Sequence, residues 1–275
     1  MSNDTLNDLT NDTSRSMPEI EINMKKLIKI LFISCLTAQF LLIVFDYVFN
    51  YMDILDDRSF RRIWNIAREN SIPTWFSSIQ AQLLGVTVIL IGVVQKPKVS
   101  LLKFMGWVLI GLFFILIGID DFAAIHEKLG GVLERMAKDN SSEQGRVVSA
   151  LLTNPSYSWH TFIAPFFALC GLVIALFLWK EFWHLNLFRY LVLGFGCWIV
   201  AQSLDFIEGL DDIEQFYRSV QDYFSIESYY LVTHTFKVVE EELEMLGTTI
   251  LWVGFLKYFA FASDGLRVRL TEACG

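Results

Sequence analysis

Cysteine, proline and charge are all scarce in this chain, and each scarcity excludes something. Of its 275 residues only four are cysteine and five proline, and 19% carry charge. Cys35, Cys170, Cys197 and Cys274 form no CxxC pair and no Cys/His zinc spacing. That argues against a zinc ribbon or a disulfide scaffold; three of the four fall inside apolar runs, where a thiol serves as a small packing group. The charged fraction lies below the roughly 25% of soluble domains. The net charge is -8, and no basic stripe with interleaved aromatics is present, so no nucleic-acid partner is expected. A cationic start followed by a short apolar core and a cleavage site is also missing, and no removable signal peptide is expected. The Glu-x-x-His unit of di-iron bundles occurs at Glu181–His184, in a loop on the opposite side from the other acids, where it reads as chance.

What the chain has instead is apolar length. Hydrophobic residues make up 54% of it, and several runs reach about 17 to 20 residues with almost no charge, enough to span a bilayer core. The expected fold is all-α: a polytopic membrane helix bundle of about six transmembrane helices. They are placed at 27–49, 79–94, 101–126, 159–179, 187–207 and 229–261. Pro165 is expected to kink the fourth or to sit in its first turns. Residues 1–24 read as a disordered polar tail, 25–263 as the six-helix domain and 264–275 as a short cytoplasmic tail. Lys25, Lys26, Lys29, Lys96, Lys98, Lys103, Lys180, Arg189, Arg267 and Arg269 fall on one side of this topology. Positive residues favour the cytoplasm, so both termini are placed there, in a bacterial inner membrane. Arg58, Arg61, Arg62 and Arg68 in the first outer segment weaken the bias. The patterns IWNIA and VLERMA in the long outer segments read as short interfacial helices.

The ionisable residues then fall at one depth. Asp120 lies ~25 Å past Lys103 at 1.5 Å per residue, and Asp121, His126 and Glu127 follow it. Asp46, His160, Asp205 and Glu208 sit at the outer ends of three other helices. His234, Lys237, Glu241 and Glu244 share one face of the last helix, by the helical period. Taken singly, Asp46 and Asp205 are equally well explained as headgroup-zone residues, and His160 reads as interfacial. Lys237 reads as an internal counter-ion. Together, several carboxylates at the edge of a low-dielectric core must protonate, pair or share a cation. Carboxylates and imidazoles from facing helices hold Fe, Mn or Zn. Asp121, His126, Glu208, His234, Glu241 and Glu244 are therefore candidate ligands for a divalent metal. Asp120, Glu127 and Glu241 are candidate catalytic groups, Glu241 serving in either role.

Two segments carry a resemblance. IDDFAAIHE (119–127) resembles the LDExxxIHE motif of a broad group of uncharacterised bacterial multi-pass membrane proteins, and EEELEM (240–245) resembles their later EExxEM segment. Asp121 stands where that motif has Glu, one methylene shorter. The resemblance implies no activity, only that the two acidic segments belong together. Three functions fit these residues. One is a metal-dependent enzyme, a hydrolase or oxidoreductase acting on a lipid-like or quinone-like substrate among membrane lipids. The second is an ion or proton transporter; the third is a non-catalytic sensor or assembly partner. Transport ranks second because the inner halves hold a thin polar set, chiefly Ser34, Thr37, Gln39, Thr87, Thr248 and Thr249.

Overall fold

The computed structural model of the chain describes residues 19–269, apart from 53, 56, 139–143, 145, 146, 150–155, 211, 264 and 265. Six helices are long and apolar enough to cross a membrane, and the chain is an integral membrane protein built as an all-α bundle. Strand β1 (Glu19–Ile22) precedes helix α1 (Met24–Asp46), which continues as a π-helical turn at Tyr47–Tyr51. Then come α2 (Arg58–Trp64), α3 (Ile72–Gln95) and α4 (Leu101–Ala123). Next are α5 (Ile125–Lys138), α6 (Ser158–Phe162), α7 (Ala164–Phe182) and α8 (Phe188–Glu208). The order ends with α9 (Ile213–Phe224), α10 (Tyr229–Ala262) and strand β2 (Leu266–Arg269).

At the end of the stretch expected as a polar tail, β1 pairs antiparallel with β2, Glu19 opposite Arg269 and Ile22 opposite Leu266. That pairing brings both ends of the six-helix domain to one side. The far side is called distal below.

Local chemistry sets the helix ends. Asn23, Asp57, Ser71 and Ser100 each accept a bond from the backbone N–H three residues on, satisfying donors that a helix start leaves orphaned. Pro165 falls in the first turn of α7, where its missing N–H costs nothing. Helix α4 stops earlier than its apolar pattern suggests. Ala124 adopts the left-handed conformation at φ 50°, and α5 starts in a new direction at Ile125.

Glycines set the closest contacts. A Cβ on Gly85 would lie 2.5 Å from the Gly111 carbonyl oxygen, and one on Gly111 would lie 2.6 Å from that of Gly85. Helices α3 and α4 therefore run backbone to backbone, as small residues permit in lipid. Gly194 and Gly247 do the same for α8 and α10, with their would-be Cβ atoms 3.0 and 2.8 Å from the facing carbonyl. The core between these pairs includes Leu84, Val88, Ile91, Trp107, Phe114, Leu178, Phe182, Leu251 and Phe255, all fully buried or nearly so. Large apolar side chains stay exposed around the rim, among them Ile33, Phe40, Leu109, Leu169, Leu172 and Ile199. In water such a belt would drive aggregation; in lipid it is the solvated surface.

Buried polar pairs tie the helices through the bundle. Thr249 Oγ1 accepts from Gln39 Nε2 at 2.8 Å and also from Gln80 Nε2. Trp252 Nε1 donates to Thr87 Oγ1 at 2.9 Å, and Gln95 Nε2 to the Tyr258 hydroxyl at 2.8 Å. Tyr258 in turn donates to Glu181, which pairs with Lys103 at 2.8 Å. Glu181, half of the discounted Glu-x-x-His pair, is thus a structural link between α4, α7 and α10.

Candidate functional site

The acids converge at the distal end because the helices reach the same height. At 1.5 Å per residue, Glu244 lies ~27 Å from Ala262, Asp120 ~29 Å from Leu101 and Asp205 ~26 Å from Phe188. Each distance is close to the ~30 Å hydrocarbon core. The acids sit where an aqueous boundary begins, and α10 carries on beyond them. Its polar stripe meets a different partner at each turn.

At the first turns His234 faces α1. His234 Nε2 lies 2.8 Å from Asp46 Oδ2, and both side chains are almost wholly buried. Asp46 Oδ1 also accepts from Asn50 Nδ2 at 3.0 Å and from the Ile66 backbone N–H at 3.1 Å. Asp46 is therefore no headgroup-zone residue but a buried acceptor joining α1, the segment after α2, and α10. His234, a candidate ligand, is already committed to it.

One turn on, Lys237 faces α8. Its Nζ lies 2.8 Å from Glu240, 3.4 Å from Asp205 and 3.6 Å from Glu208, the counter-ion role that its position suggested. Asp205, Glu208 and Glu240 each offer an oxygen, all within 4.8 Å of one another. His160 joins them from α6, with Nε2 at 3.3 Å from Asp205 Oδ2. That nitrogen is buried and within ion-pair range of Asp205, but makes no well-formed hydrogen bond. So His160 is not an interfacial residue but points at the acids. Sequence reasoning put Glu208 in the candidate ligand set and left out Asp205, Glu240 and His160, which lie beside it. His160 and Asp205 are expected at the same depth as Glu208, but nothing in the sequence aims them at it.

A cavity of about 80 Å³ opens beside Glu208 and Glu240, walled by Leu204, Ile207, Phe216, Tyr217 and Phe236. Phe216 and Tyr217 come from α9, an amphipathic helix that the sequence reading did not anticipate. Burial, then the negative field of Glu208, pushes the Tyr217 hydroxyl up to about 12, and the Tyr157 hydroxyl to about 12 for the same reasons. Both stay protonated donors beside the acids.

The remaining candidates form two further groups. Asp121 accepts from Ser77 of α3 and lies in the electrostatic range of Glu244, which accepts from Gln202 at 2.9 Å. Glu241 interacts with Glu244, Lys237 and Asp121, so it bridges this group and the Lys237 cluster. Asp120 instead closes the break at Ala124. It accepts the His126 backbone N–H at 3.0 Å, and its Oδ2 lies 2.7 Å from His126 Nδ1. Burial lowers the His126 pKa, but the hydrogen bond and charge of Asp120, with Glu127, outweigh this and hold it above its ordinary value. Glu127 meets Glu69, a residue the sequence reading passed over. Burial, then the charge and hydrogen bond of Glu127, pushes the Glu69 carboxyl up to about 7. The six candidate ligands are thus spread over four groups around α10 and α4.

The family model described as "Domain of unknown function (DUF8692)" matches residues 31–259. No curated protein and no solved structure matches the chain.

Proposed function

The chain belongs to this family of unknown function, so its activity has to be read from its own residues, and we propose that it is a membrane-embedded metal-dependent enzyme. The observation that carries the reading is the convergence of Asp205, Glu208 and Glu240 within 4.8 Å, with the buried His160 Nε2 3.3 Å from Asp205. Three carboxylates and one imidazole suit Fe, Mn or Zn. An imidazole nitrogen held only by a long contact to Asp205 is available to a cation shared with that carboxylate. Lys237 stands in the same space, so a bound ion requires its ammonium to swing aside or to leave one carboxylate for it. When bound, the metal supplies Lewis acidity near neutral pH.

The chain's own groups do the rest. The apolar walls of the neighbouring cavity suit an acyl or isoprenoid segment, which favours a lipid-like or quinone-like substrate. Tyr157 and Tyr217 hold protons at its edge, and Glu241 links the cluster to the Asp121–Glu244 pair as a candidate proton acceptor. Metal analysis of the purified chain tests this. Near-stoichiometric Fe, Mn or Zn is expected, lost in Asp205→Asn and in His160→Ala, and retained or raised in Lys237→Met. Absence of metal from both the wild type and Lys237→Met overturns it.

Proton or cation transport is the second reading. The buried Gln39–Thr249–Gln80, Thr87–Trp252 and Gln95–Tyr258–Glu181 links favour it, since they join Gln39, Thr87 and Thr249 of the thin polar set to Gln80, Trp252, Gln95, Tyr258 and Glu181. Flux in proteoliposomes that disappears in Glu241→Gln would support it. No flux in the wild type under a proton or cation gradient removes it.

A further inference from the structure

A second site lies on the opposite flank of α10, independent of the acidic cluster. A cleft of about 450 Å³ opens at the distal face, with Arg58, Arg61, Arg62, Arg68, Asn65 and Tyr230 among its walls. Four guanidinium groups thus meet in one cleft of a chain whose net charge is -8. Among the described residues, Arg58, Arg62 and Arg68 form no ion pair. Like charges gathered in a partly enclosed space repel, and an anion relieves that repulsion. Asn65 is 93% buried, being 7% exposed, and its Oδ1 has no hydrogen-bond partner. Its Nδ2 already donates to Asn50 Oδ1 at 3.4 Å, so what it leaves in the cleft wall is an unsatisfied acceptor, able to take a bond from a guanidinium or from a ligand hydroxyl. The Tyr230 hydroxyl lies 3.4 Å from His234 Nδ1 and within the field of Arg61 and Arg68, so the fold itself holds this wall of the cleft.

The donor inventory decides the class of anion. A carboxylate offers two oxygens. Several guanidinium forks offer more donors than two oxygens take up, and planar forks match the oxygens of a phosphoryl group in pairs. The height agrees, because α1 leaves the membrane span at Tyr51 and α2 begins at Arg58, at the level of lipid headgroups. We infer that this cleft is a binding site for a phosphate ester, presented by a phospholipid headgroup or by a soluble phosphorylated compound. The arginines then stay on the face opposite the lysine-rich loops because a ligand uses them.

The test uses the full chain in detergent and two probes, inorganic phosphate and a short-chain phosphatidylglycerol, with a short-chain diacylglycerol as the control lacking phosphate. Arg62 and Arg68 are exposed, so Arg62→Gln/Arg68→Gln is expected to fold. Arg218→Gln, whose arginine sits on α9 outside the cleft, controls for loss of charge alone. Binding of phosphate or of the phospholipid, but not of diacylglycerol, is expected. The double variant should weaken it by roughly ten- to a hundredfold, the range for losing charge-assisted bonds. Phosphate binding alone identifies a soluble ester, and phospholipid binding alone identifies a headgroup; either supports the site. No binding of either probe, equal binding of diacylglycerol, or equal weakening in Arg218→Gln overturns it. Metal content should be unchanged in the arginine variants, which separates this site from the metal reading.

Discussion

At the scale of single residues, the distal end is governed by how each carboxyl finds a partner. Asp46 has three donors and no need of a cation; truncating it would leave three groups unpaired, each costing about 1–3 kcal/mol when buried. Glu69 has the opposite environment, an acid beside an acid. With its carboxyl held at about 7 against an ordinary 4.5, the folded chain keeps a proton between those values that the unfolded chain has released. Its contribution to stability is therefore complete below pH 4.5, falls as pH rises towards 7, and stays lost above. The raised His126 has the same sign, its contribution disappearing as pH climbs through its folded value. The wild type should thus melt lower at pH 8 than at pH 5. Glu69→Gln, which cannot lose a proton, should show a smaller drop. Equal drops in the two proteins, measured by thermal denaturation in detergent, would mean that the Glu127 contact does not hold that proton.

At the scale of elements, helix spacing is set by what is missing from glycine. Gly85→Ala or Gly111→Ala places a methyl about 2.5 Å from a facing carbonyl, so α3 and α4 must separate. The expected cost is about 1–3 kcal/mol, as for overpacked cores. Gly171 and Gly196 face open space; alanine there should be neutral or gain up to about 1 kcal/mol of helix propensity. Melting temperatures of the four variants check the contrast, and a uniform response would refute the close-packed interface. The six spans were legible in the sequence because apolar length and charged ends need no partner to be read. Their depth was legible too, which is why the acids were expected at one level. The azimuth of each helix was not. Glu208 and His234 share a stripe pattern on paper, yet one meets Lys237 and the other Asp46, because that choice depends on how α1 and α8 rotate against α10. His160 and Asp205 gave no periodic signal, and Glu69 sits in a loop where periodicity has no meaning. The arginines of α2 were visible only as a disturbance in the charge bias, since a helix of two turns carries too little pattern to predict a cleft.

At the scale of the whole molecule, α10 divides the distal face into two chemistries. The α8 side holds acids around an internal lysine, and the α1–α2 side holds arginines around an amide and a phenol. The two are separated by the Asp46–His234 pair, which is satisfied and closed. A phosphate-bearing amphiphile held on one flank and a metal-dependent reaction on the other would need no lid, only access from the lipid on both sides of a single helix. The β1–β2 pairing holds the two ends of the bundle together at the other side, far from either site. Lys237 has a further consequence. Its ammonium is covalently attached to the helix that also supplies Glu240, so the carboxylates are met by a tethered competitor that is never diluted away. Any free cation reaching them must win by charge or by coordination number, not by abundance alone. Under the metal reading this favours a divalent over a monovalent cation, because only the higher charge offsets the ammonium it displaces.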